Sequence, residues 1–126
     1  MAAGQYNFVI EQGATLKKQF TYKDSAGSVV DLNGYVTRMQ IRSSQGSDSK
    51  IADLDNSTLG GLTILPTTGS AVSGTIELHI HADSSSLYSF DQAVYDLEIK
   101  STAGIVTRLL QGRIKLSKEV TRWNGS

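Results

Sequence analysis

The chain has 126 residues, with 12 basic and 12 acidic side chains and no cysteine, so its formal net charge is zero. That length predicts one domain. The missing cysteines exclude a disulfide framework and any thiolate metal site. The missing basic excess argues against bulk electrostatic binding to nucleic acid or an anionic membrane. The opening MAAGQYNFVIEQG lacks the basic and apolar regions of a secretory signal, and no stretch approaches the ~20 apolar residues of a membrane helix.

Alternation of period two runs from end to end, with no sustained helical stripe, which predicts an all-β fold. The first strand is expected over residues 6–11 and is broken at Gln12-Gly13-Ala14. A second spans 16–23, with Leu16, Phe20 and Tyr22 on one face and Lys18 interrupting it. Asp24-Ser25-Ala26-Gly27 is a turn into a short strand over 28–32. Asn33-Gly34 turns the chain into a strand over 35–42, where Tyr35, Met39 and Ile41 share a face and Arg38, Gln40 and Arg42 take the other. Residues 50–54 read as an edge strand and 62–65 as a short one.

The clearest alternation follows, with Ile76, Leu78 and Ile80 inward and Glu77, His79 and His81 outward. Asp83 is expected to cap a helical turn over 84–87 that closes one end of the domain. The strand over 93–101 places Tyr95, Leu97 and Ile99 inward. Thr102-Ala103-Gly104 reads as a three-residue hairpin loop with Gly104 in the left-handed position. That register sets Ser101 opposite Ile105, Glu98 opposite Arg108 and Leu97 opposite Leu109, with a bulge expected at Gln111-Gly112.

About eight short strands and one helical turn predict an antiparallel two-sheet sandwich, immunoglobulin-like, with a small barrel as the alternative. The sandwich is expected over residues 6–118, with an N-terminal arm at 1–5 and a C-terminal tail at 119–126.

Chemistry-bearing patterns are sparse. No nucleophile elbow, Walker loop or dinucleotide fingerprint occurs, so no catalytic residue and no cofactor are expected. His79, His81 and Glu77 share a strand face and could bind a divalent ion, but a further ligand at suitable spacing is missing, and a solvated face is the simpler reading. Asp53 and Asp55 lack the glycine and distal glutamate of a calcium loop. Asp96 and Glu98 are expected to form cross-strand ion pairs with Arg108 rather than an acid-base pair.

Interface residues are the remaining candidates. Tyr6 and Phe8 could add a strand to a partner's open sheet edge. Arg122 and Trp123 could anchor the tail in a neighbouring subunit, the alternative being that Trp123 packs back on its own sheet.

Two blocks, DLNGYVTRMQIR at 31–42 and YDLEIKSTAGIVTRLLQGRIKLSKEVTR at 95–122, resemble a family of small β-sandwich structural proteins of tailed phages and prophages. The immunoglobulin-like N-terminal domain of phage baseplate upper proteins is similar. The pattern positions are Asp31, Leu32, Gly34, Arg42, Tyr95, Asp96, Arg108, Gly112 and Glu119. The resemblance implies no catalytic residue. It implies a virion structural protein, made in the host cytoplasm, that docks to copies of itself and to other virion proteins in a symmetric assembly of the tail, baseplate or head-to-tail region. Baseplate upper proteins continue into helical and receptor-binding-protein docking regions, whereas the sequence here stops after the sandwich. Neither nucleic acid nor membrane is an expected partner. A capsid decoration protein and a carbohydrate-binding host-recognition module are the alternatives.

Overall fold

Alternating side chains can satisfy burial and solvation together only on a sheet with one covered face. The computed structural model describes residues 4–44, 46–47, 49–57, 60–65 and 74–120 and forms two such sheets. The strands are β1 (Gly4–Gln5), β2 (Phe8–Glu11), β3 (Leu16–Thr21), β4 (Val36–Arg42), β5 (Lys50–Asp55), β6 (Leu62–Leu65), β7 (Thr75–Ile80), β8 (Gln92–Lys100) and β9 (Val106–Ser117), with a helical turn α1 (Ala82–Ser85) between β7 and β8. The larger sheet runs β1-β9-β8-β4-β5, with β2 also on β9, and the smaller runs β3-β7-β6. The fold is an all-β two-sheet sandwich.

The core lies between the sheets. Met39 and Ile41 of β4, Leu97 of β8 and Ile114 of β9 are fully buried against Ile76 and Leu78 of β7. Each such side chain contributes about 1.5–3 kcal/mol by leaving water. Thr37 shares this inner face and is also fully buried; its hydroxyl donates to the Glu98 carbonyl at 3.0 Å, which satisfies the one polar atom it brings inside.

The N-terminal segment departs from the antiparallel expectation, because β1 and β2 both pair with β9 in parallel. Gly4 and Gln5, expected in an N-terminal arm, pair with Leu110 and Gln111. The segment is two strands because it kinks at Tyr6-Asn7, opposite Gly112. A side chain on Gly112 would overlap the Tyr6 carbonyl oxygen. That carbonyl accepts a 2.6 Å bond from the Tyr95 hydroxyl, and the Asn7 side-chain oxygen accepts from the Arg113 amide at 2.9 Å.

Lys18, which breaks the apolar pattern of β3, sits with its ammonium 5.8 Å from the Tyr6 ring and 5.7 Å from the Phe8 ring. The aromatic faces supply the negative potential that lets a cation lie on an inner face. Phe20 meets Tyr6 edge-on at 5.6 Å, so the same rings tie β3 to the N-terminal segment.

The β8–β9 hairpin keeps the expected turn. Gly104 has φ +87°, the Ser101 amide donates to the Ile105 carbonyl at 2.9 Å, and Glu98 faces Arg108. The bulge lies two residues earlier than expected. It falls at Leu109, so Leu97 faces Leu110, not Leu109. The Gln111-Gly112 position is regular on the β8 side, and its glycine serves the close approach of Tyr6. Residues 28–32 form no strand; a single bridge between Lys23 and Val29 closes a tight hairpin whose turn is held by the Asp24 carboxylate.

The helical turn closes one end of the sandwich, but His81, not Asp83, occupies the N-cap, and no side chain caps it. Ser85 holds the plug instead. Its buried hydroxyl accepts from the Gly13 amide at 3.0 Å and donates to the Ala14 carbonyl at 2.9 Å. Gln12 adds a 2.7 Å bond to the Tyr88 carbonyl and accepts from the Glu119 amide at 3.1 Å.

Candidate functional site

Because partners across a sheet point the same way, the outer face of the larger sheet is organised in transverse rows. One row is Asp55, Arg38, Glu98 and Arg108. The next is Asp53, Gln40, Asp96, Gln111 and Gln5. A third sets Arg42 and Arg113 on either side of Val94. A row of three amides and two carboxylates is thus flanked by two rows carrying arginines.

Charges at the β5 edge are mutually satisfied. Arg38 holds Asp53 through two bonds, at 3.0 and 2.7 Å, and Lys50 donates to the same carboxylate at 2.9 Å. These bonds hold the Asp53 carboxyl well below the usual carboxylate range and raise Arg38. Asp55 is also lowered, by the Ser57 hydroxyl and amide. Arg108 reaches Asp96 at 3.5 Å and Glu98 at 3.9 Å.

Toward the other side of this face the balance changes. Among the described residues, Arg42 donates to neutral acceptors, Gln40 at 2.8 Å and the Ser47 carbonyl at 2.9 Å. The Arg113 guanidinium has no hydrogen-bond or ion-pair partner among the described residues. These groups border an open depression of about 930 Å³ over β4, β8 and β9. Gln40, Arg42, Val94, Asp96 and Gln111 are half-buried around it. Tyr95 also borders it, but is 4 % exposed and turns its hydroxyl to Tyr6, so it offers no aromatic platform.

The histidines lie on the other sheet. The rings of His79 and His81 are 4.1 Å apart, and Lys17 is the cross-strand partner of His79. Partial burial, then His81 and Lys17, push the His79 imidazole below its ordinary value. Glu77 accepts a 3.0 Å bond from Gln19. No three metal-binding side chains converge among the described residues.

Of the four residues expected at an interface, Phe8 lies in the chain's own core at 6 % exposure, and Tyr6 stacks on it while remaining 38 % exposed. Arg122 and Trp123 lie outside the described residues. Compared with protein-family models and with curated proteins, the chain matches none.

A second surface feature went unread in the sequence. At the hairpin end of the larger sheet, Val36 and Val106 flank Lys100 in one row, and Ile105 precedes Val106 in the chain. Their exposures are 47, 57 and 66 %. The signal was available: Ile105 and Val106 are adjacent, so they cannot both point inward.

Proposed function

We propose that this protein is a non-enzymatic structural component of a tailed-phage virion, in the tail, baseplate or head-to-tail region, and acts by docking in a symmetric assembly. The observation that carries the reading is the exposed apolar end formed by Val36, Ile105 and Val106. Val36 and Val106 stand on either side of Lys100, with Ile105 next to Val106, and exposed apolar side chains clustered in this way mark protein contact. The described surface offers charged pairs and amides around an open depression, not a cleft of converging acids or imidazoles.

The roles of the resemblance positions support the same reading. Leu32 is fully buried, Gly34 takes φ +83° in the turn before β4, and Tyr95 and Gly112 hold the N-terminal segment. Asp96 and Arg108 pair across strands, and the Glu119 amide ties the chain end to Gln12. These are the tasks of a scaffold. Zero net charge leaves copies free of long-range repulsion when they pack closely.

The test is co-purification with particles. The chain should sediment with virions from a producing host, and the double substitution Ile105→Lys, Val106→Lys should leave it folded but soluble and free of particles. A wild-type chain that never accompanies particles contradicts the reading.

A further inference from the structure

We infer that the depression on the outer face of the larger sheet is a binding site for an extended acidic peptide segment of a partner protein, seated across β4, β8 and β9. The inference concerns this face alone and holds whether or not the protein belongs to a virion.

Charge supports it first. Three guanidinium groups border the depression, those of Arg42, Arg108 and Arg113, against a single carboxylate among the described residues, Asp96, which Arg108 already engages. Among the described residues, Arg42 is held by neutral oxygens alone and Arg113 is unpartnered. Such groups form short, charge-assisted bonds to carboxylates.

Spacing supports a chain rather than a lone ion. Arg42 and Arg113 stand two strands apart, which in a sheet is roughly 9.5 Å. Alternate side chains of an extended peptide repeat every ~6.6 Å, a gap that the long side chains of arginine and glutamate close. The depression extends over three strands, from Arg42 on β4 to Arg113 on β9, a span that one small anion does not bridge.

The amides complete the match. Gln5, Gln40 and Gln111 lie in one row, and each amide can both donate and accept, as a peptide backbone requires. Val94 supplies an apolar floor between the two arginines. Among the described residues no aromatic ring offers its face to the depression, so they supply no stacking platform of the kind sugar rings favour, which sets a peptide ahead of an acidic polysaccharide.

The experiment is a titration of the isotope-labelled full chain with end-blocked hexaglutamate, read by amide chemical shifts. The amides of Val94, Gln111 and Arg113 should move, and affinity should fall as salt rises. Arg113→Gln and Arg42→Gln should each weaken binding about fivefold. Lys23→Gln, on the far hairpin, should leave it unchanged. Shifts centred elsewhere, equal weakening by Lys23→Gln, no saturable binding, or binding of polygalacturonate in place of hexaglutamate would each overturn the proposal.

Discussion

Gly112 and Tyr6 are so close that the carbonyl oxygen of Tyr6 occupies the space a side chain on residue 112 would need. The N-terminal segment, parallel to β9, can lie flat only because position 112 is bare. Gly112→Ala is therefore expected to cost about 2 kcal/mol or more in denaturant unfolding. Hydrogen exchange should accelerate at Phe8–Glu11 well before it does in β8. Unchanged stability and exchange would show that the close approach is not a constraint.

The Tyr95 hydroxyl donates to that same carbonyl at 2.6 Å. Tyr95→Phe should cost about 1 kcal/mol. Burial, with a smaller contribution from Tyr6, pushes the Tyr95 phenol up to about 12. A group raised above its unfolded value near 10 stabilises the fold fully below pH 10 and loses that contribution as pH rises toward 12. Stability of the native chain should decline across this window, and the phenylalanine variant should decline less; parallel curves would contradict the assignment.

Ser85 joins the helical plug to the loop after β2 through the Gly13 amide and the Ala14 carbonyl. Ser85→Ala strands both groups where water has little access. A loss of about 1–3 kcal/mol is expected in thermal or chemical unfolding. Ser86→Ala, whose hydroxyl bonds only the exposed Asp83 carbonyl, should change little.

Asp53 is held low by Arg38 and Lys50. Its contribution is present above the unfolded carboxylate value and is lost as pH falls below about 4. Asp53→Asn should flatten the acid limb of the stability curve while changing neutral stability only slightly, since the pair faces solvent and is screened by salt. An acid limb identical to that of the native chain would contradict this.

Local patterning made most of the sandwich legible. Ile76, Leu78 and Ile80 alternate with polar residues, and the Thr102-Ala103-Gly104 loop fixes the Glu98–Arg108 pairing by turn geometry alone. What was not legible depends on contacts distant in sequence. Nothing local says that residues 4–11 pair in parallel with a strand a hundred positions later, or that Lys18 finds two aromatic rings. The helix cap was misplaced because Asp83 has the right chemistry but lies in the first turn. The outer-face rows needed the order of β4, β8 and β9, which no single strand reveals.

The account rests on the apolar end of the larger sheet being a docking surface. Electron-microscopy reconstruction of particles from a producing host tests it most directly. The predicted result is symmetric copies of the sandwich with Val36, Ile105 and Val106 covered by a neighbouring subunit. Particles that lack the chain, or that carry it with those three residues facing solvent, would contradict the account.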